Sequence, residues 1–153
     1  LYDATNVLVA ERIGRTYIMP GVITPIFEGM IGTGQRIAMR TQFEFLEPLL
    51  WERLDDTSSV IRIIERRVEG AESTPKVTAR VENTSVRTLS RITFIATVAG
   101  PSGNAVTASQ TTLESLAGGA TEEIVFTWPD PFGATVGSID ITALVAPEEP
   151  RTR

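Results

Sequence analysis

The chain has 153 residues, 42% of them hydrophobic and 22% charged, with 19 acidic against 14 basic side chains and a formal net charge of −5. Such a chain can bury a real hydrophobic core, which argues against disorder along its length, and its acidic balance argues against a phosphate-neutralising surface. Cysteine and histidine are both absent, which removes disulfides, thiolate chemistry, Cys/His zinc sites and every nucleophile–histidine relay.

No charged segment leads into an apolar run at the start, and no stretch reaches the roughly 18 apolar residues that a spanning helix needs. Membrane attachment is therefore expected only through an anchor outside this chain. Lack of cysteine fits the cytosol and a disulfide-free envelope protein equally.

Period-two alternation dominates the chain. Leu1-Tyr2 reads as the end of a strand, followed by a turn at Asp3 to Asn6 and a strand from Val7 to Glu11. Pro20-Gly21 makes the next turn, Val22 to Glu28 the next strand, and Gly32-Thr33-Gly34 a glycine turn. From Arg36 to Phe45 one face carries Ile37, Met39, Thr41, Phe43 and Phe45; the other carries Arg36, Ala38, Arg40, Gln42 and Glu44. Glu47 to Leu54 reads as a helical turn or, equally, as a linker. Val60 to Val68 follows as a strand, and Lys76 to Glu82 sets Val77, Ala79 and Val81 against Lys76, Thr78, Arg80 and Glu82. Arg91 to Val98 alternates Ile92, Phe94, Ala96 and Val98 with Arg91, Thr93, Ile95 and Thr97. Gly100-Pro101-Ser102-Gly103-Asn104 is a hairpin turn before a strand from Ala105 to Gln110. Gly118-Gly119 turns the chain into Glu123 to Trp128, where Ile124, Phe126 and Trp128 face inward, and Pro129-Asp130-Pro131 is a longer loop. Ser138 to Val145 closes the series with Ile139, Ile141, Ala143 and Val145 inward. Strands with one buried and one wet face, broken by regular turns, predict an all-β protein of antiparallel β-sandwiches.

The order of strands and turns from Leu1 to Phe45 is that of Val98 to Val145, a partial internal repeat carried by order and spacing more than by identities. In the second copy Val60 to Val68, Lys76 to Glu82 and Arg91 to Val98 precede the shared part; the first copy has no such prefix. The predicted organisation is therefore tandem immunoglobulin-like sandwiches. Residues 1–50 form a partial domain incomplete at its N-terminus, 51–58 a linker, 59–147 a complete domain and 148–153 a polar tail. Without facing strands, Val22, Ile26, Phe27, Ile37, Met39, Phe43 and Phe45 would leave about 10–20 kcal/mol of core unformed. Strands upstream, β-augmentation by a partner, or packing on the second domain would each relieve this.

Leu1-Tyr2-Asp3 followed by Ala4-Thr5-Asn6-Val7-Leu8-Val9 resembles the strand–turn–strand of FxLYD-type modules, small immunoglobulin-like domains of bacterial envelope proteins. Val81-Glu82-Asn83-Thr84-Ser85 is similar to their Val-x-Asn-x-Ser turn. Phe94 to Val98 stands in the strand leading to the Leu-Tyr-Asp position, where this chain has Val98-Ala99-Gly100 instead. Leu116-Ala117-Gly118-Gly119-Ala120 stands at the family's Leu-x-Pro-Gly segment without its proline, which the first copy keeps in Met19-Pro20-Gly21. The tandem arrangement also looks like envelope proteins with one N-terminal anchor before their repeats. The resemblance implies a β-sandwich outside the cytoplasm and brings no catalytic residue with it.

The remaining candidates read as structure. Asp55-Asp56, Glu122-Glu123 and Glu148-Glu149 could suggest paired catalytic carboxyls, but neighbours on a strand point to opposite faces and the others lie in linker or tail. Asp55, Asp56 and Asp130 could ligate calcium, without the alternating Asp/Asn ladder of a calcium loop. Gly32-Thr33-Gly34 lacks the Gly-Lys-Ser/Thr of a phosphate cradle. Arg62, Arg66, Arg67, Lys76, Arg80, Arg87 and Arg91 are interleaved with Glu65, Glu69, Glu72 and Glu82; cross-strand ion pairing accounts for them, with an anionic-polymer contact as the alternative. Asn83-Thr84-Ser85 fits a glycosylation triplet but also suits a turn. Trp51, beside Leu49 and Leu50, reads as packing between domains or as a partner's anchor.

No residue is assigned a catalytic, cofactor-binding or metal-ligating role, and no cofactor is expected. The expected protein is a non-catalytic, extracytoplasmic module of the cell envelope or surface that spaces, adheres or assembles. Its partner would be protein or a second copy, met through strand edges, and not nucleic acid. Two alternatives stand beside it: a filament subunit completed by a neighbour's strand, and an accessory carbohydrate-binding domain, which requires a planar row of exposed aromatics.

Overall fold

The computed structural model describes residues 1–16, 18, 23–46 and 60–145. They fall into two compact units, Leu1–Thr16 with Glu28–Leu54, and Tyr17–Phe27 with Asp55–Arg153.

The second unit holds six strands: β1 (Ile61–Glu69), β2 (Lys76–Asn83), β3 (Leu89–Ala99), β4 (Ala105–Leu116), β5 (Thr121–Thr127) and β6 (Ser138–Val145). They form two antiparallel sheets, ordered β1-β2-β5 and β4-β3-β6. Side-chain alternation decides which faces meet. Val77, Ala79 and Val81 of β2, Ile92, Phe94, Ala96 and Val98 of β3, Ile124 and Phe126 of β5, and Ala143 and Val145 of β6 are buried in one core. Trp128 and Phe132 complete it from the loop after β5. Both sheets contribute, so apolar burial holds two layers together as a sandwich. These inward sets are the ones the alternation predicts. The strand expected to end at Gln110 runs on to Leu116, because β3 extends back to Leu89 and gives Ser115 and Leu116 partners in Ser90 and Leu89.

Two places depart from simple alternation. A bulge between Ile63 and Glu65 shifts the phase of β1, so Arg66 and Val68 lie opposite the inward Ala79 and Val77. Ile95, read as wet, is only 3% exposed. It clusters with Leu144 on the outer side of its sheet, and Phe27 packs against both. Of the strand expected from Val22 to Glu28, Val22 lies outside the described residues and Ile23 to Glu28 adopts no regular strand.

The first unit carries isolated bridges where strands were expected at Val7 to Glu11 and Arg36 to Phe45. Tyr2 pairs antiparallel with both Leu8 and Arg40, as Ala99 pairs with both Ala105 and Ser138. The turn hydrogen bonds match as well. Asp3 N–H donates to Val7 O at 3.0 Å and Asn6 N–H to Asp3 O at 3.1 Å; Gly100 N–H donates to Asn104 O at 3.0 Å and Gly103 N–H to Gly100 O at 2.9 Å. Met39 N–H reaches Tyr2 O at 2.8 Å, as Gly137 N–H reaches Ala99 O at 2.8 Å. Asn6 and Gly103 take the same left-handed turn position, with φ of 61° and 80°. The offset is 97 positions at the hairpin (Asp3 to Gly100) and 98 at the returning segment (Met39 to Gly137). Regular ladders need a buried face to sustain them, and none of the first unit's described residues is buried.

Candidate interaction surfaces

The outer face of the β1-β2-β5 sheet is a set of cross-strand charge rows. Pairing sets Arg62 beside Glu82, Glu65 beside Arg80 and Glu69 beside Lys76, while Arg80 also neighbours Glu123. Arg62 grips Glu82 through Nε at 2.8 Å and through its terminal nitrogen. Arg67 holds the Glu65 carboxylate at 2.9 and 2.7 Å, with Arg80 4.0 Å away. The hydrogen bond from Arg67, then its charge, then that of Arg80 keep the Glu65 carboxyl below the usual carboxylate range. Four cations (Arg62, Arg67, Lys76, Arg80) thus meet four carboxylates (Glu65, Glu69, Glu82, Glu123) on this face. A balanced face offers a polyanion no net attraction.

The two sides of the sandwich differ. On the β4–β5 side, Trp128 donates its indole N–H to Ala108 O at 3.1 Å and Ser109 Oγ reaches Thr127 O at 3.2 Å. Trp128 also stacks edge-on against Phe132 with centroids 5.1 Å apart. On the β1–β6 side, the inward-phased Arg66 donates from Nη1 to the Ile139 carbonyl of β6. Ile63, Ile139 and Ile141 are only half-buried there. Among the described residues, β6 pairs with β3 and with no other strand. Sequence reading placed Arg66 among the solvated charges; the adjacent Ile63-Ile64, two apolar residues in succession, is the trace of the bulge that gives it the inward register.

Asn83 is fully buried, at 0% exposure. Its amide donates to Arg87 O at 2.7 Å and Leu116 O at 2.9 Å, and its carbonyl accepts from Ser85 N–H at 3.0 Å and Ser85 Oγ at 2.7 Å. All its side-chain hydrogen-bonding groups are therefore used in joining the β2–β3 turn to the end of β4, and in the folded domain its amide is not open to a glycan.

In the first unit, Asp3 organises the hairpin. Its Oδ1 accepts from Thr5 N–H at 2.9 Å, Thr5 Oγ1 at 2.7 Å and Val7 N–H at 3.0 Å, and Arg36 Nη1 donates to Oδ2 at 3.2 Å. The Thr5 hydroxyl bond first, then the Val7 amide, hold this carboxyl below its ordinary range, with the Thr5 amide and Arg36 adding to the effect. Arg40 lies over the Tyr2 ring, 4.8 Å from its centroid. Ile37, Met39, Phe43 and Phe45 are 75%, 67%, 63% and 53% exposed, in a stretch that forms no strand beyond the bridge at Arg40. Phe43 and Phe45 meet edge-to-face at 5.0 Å with planes 82° apart, so they form no flat platform.

The other candidates separate. Asp55, Asp56, Glu148, Glu149 and Trp51 lie outside the described residues. Asp130 is an exposed loop residue, and Glu122 and Glu123 are exposed neighbours of opposite phase on β5. Gly34 has a φ of +62° in a turn closed by Arg36 N–H to Thr33 O at 3.2 Å. Among the described residues no group of three or more Asp or Glu side chains gathers as a metal site, and no helix is long and apolar enough to cross a membrane. Compared with known proteins, the chain matches no family model, no curated sequence and no solved structure.

Proposed function

We propose that this chain is a non-catalytic, extracytoplasmic interaction module built from tandem immunoglobulin-like sandwiches. The observation that carries the reading is the recurrence of one hairpin, with its two-sided bridge and its backbone hydrogen bonds, 97–98 positions apart. Sandwich units repeated in series serve as spacers and assembly elements, and their business lies in faces, edges and loops. The strand order supports the fold assignment. β1-β2-β5 against β4-β3-β6 corresponds to the A-B-E and C′-C-F strands of an immunoglobulin-like domain. The roles of Asp3 and Asn83 support the resemblance to FxLYD-type modules, since both motif residues organise turns. That resemblance is the ground for placing the chain in the cell envelope.

A filament subunit completed by strand donation is the second reading, favoured by the outer edge of β6, which pairs with no strand among the described residues, and by the half-buried Ile139 and Ile141 beside it. A carbohydrate-binding role draws little support, because Trp128 and Phe132 are buried and the exposed Phe43 and Phe45 stand perpendicular.

External protease treatment of intact source cells, followed by immunodetection of the chain, tests the location. The proposal expects digestion without lysis; protection until the cytoplasmic membrane is breached contradicts it.

A further inference from the structure

We infer that residues 23–27 are a strap over the outer face of the β4-β3-β6 sheet, docked through the Phe27 ring and released without unfolding the sandwich beneath. This goes beyond the module proposed above and does not depend on where that module resides. Ile95 and Leu144 occupy outward positions on β3 and β6, yet they are only 3% and 4% exposed. Among the described residues, Phe27 is the hydrophobic side chain packed against them. Tyr17–Phe27 groups with the strands of the second unit, so the strap is part of the body it covers.

Two observations make the strap separable. Ile95, Leu144 and Phe27 form a cluster of their own, and none of them belongs to the core that joins the two sheets. Lifting the ring therefore leaves that core in place. The strap's grip on the apolar spot is also narrow. Residues 23–28 form no regular strand, and Ile23 and Ile26 are 95% and 40% exposed, which leaves the half-buried Phe27 to make the contact. Segments with few buried apolar contacts open far more readily than the global fold. The seat lies among uncharged side chains: Ile95 stands between Gln110 and Thr142, and Thr93 between Thr112 and Leu144. With the strap closed this part of the face is polar. With it lifted, two aliphatic side chains meet water, and the sheet presents an apolar spot that it otherwise hides.

NMR of the intact 153-residue chain through a urea series tests this. The signals followed are the methyl groups of Ile95 and Leu144, and the Trp128 indole N–H, which marks the sandwich by its bond to Ala108 O. Phe27→Ala is expected to shift both sets of methyl signals without urea and to leave the Trp128 midpoint unchanged. In the wild type the methyl signals are expected to move to their Phe27→Ala positions at urea concentrations where the Trp128 signal is still native. Ile23→Ala, at a side chain open to water, is expected to change none of these signals. A single coincident transition in the wild type overturns the inference, because the strap then opens only with the whole fold. So do methyl signals that Phe27→Ala leaves in place, a Phe27→Ala chain whose Trp128 midpoint falls, or an Ile23→Ala effect equal to that of Phe27→Ala.

Discussion

The two units share a hairpin and differ in what their sheets face. Around Ala99 the ladder extends into β3, β4 and β6, and the inward positions Ile92, Phe94, Ala96 and Val98 are all fully buried. Around Tyr2 the same backbone connections stop at two bridges, and Ile37, Met39, Phe43 and Phe45 meet solvent. The local chemistry of the turn is if anything stronger in the first unit, where Asp3 accepts several hydrogen bonds that Gly100 has no side chain to make. Local turn preference thus sets where the chain reverses. A second layer decides whether the reversal grows into a sheet.

Substitutions at matched positions sharpen that contrast. The largest difference is expected between core and open face. Phe94→Ala removes a fully buried ring and should cost about 3–5 kcal/mol in urea unfolding. Phe43→Ala removes a largely exposed ring and should change stability in that assay by less than about 0.5 kcal/mol. Equal losses at the two sites would break the comparison. Asn83→Ala comes next: it leaves the carbonyls of Arg87 and Leu116 without their donor and should cost roughly 2–3 kcal/mol in the same assay. Arg91 adopts a left-handed φ of 51° that a side chain disfavours, so Arg91→Gly should stabilise the sandwich by up to about 1 kcal/mol, read as a raised melting temperature.

The smallest expected effect is at the first unit's turn. The Asp3 carboxyl is held below its ordinary value of 3.8 by bonds made only in the folded turn. A depressed acid stabilises the form that contains it at pH above that value, and the contribution is lost as pH falls through the lower, folded value. The Val7 amide resonance should therefore keep its hydrogen-bonded shift down past pH 3.8 and lose it below. In Asp3→Asn the resonance should show no such titration.

Much of the second unit was legible because its strands obey period two. Val77, Ala79, Val81, Ile92, Phe94 and Phe126 were assigned inward and are buried there. What was not legible depends on third partners. Ile95 is dry because Phe27, distant in sequence, lies on it. Arg66 takes the register of the inward Ala79, with its side chain still exposed, because of a bulge that alternation alone does not place. The strands read in the first copy fail to extend because periodicity reports a face without reporting what covers it. Of the interaction surfaces, the charge pairing between Arg62 and Glu82 was readable from strand order. The latch from Arg66 to the Ile139 carbonyl was not, since it joins the edges of different sheets.

Hydrogen–deuterium exchange on the intact chain tests the central contrast most directly. Amides of β2 and β3 are expected to exchange slowly, because both strands are paired on both sides and buried on one face. Amides of residues 36–45 are expected to exchange quickly, because that stretch is exposed and carries only one isolated bridge. Strong protection of residues 36–45, matching that of β3, would contradict the account.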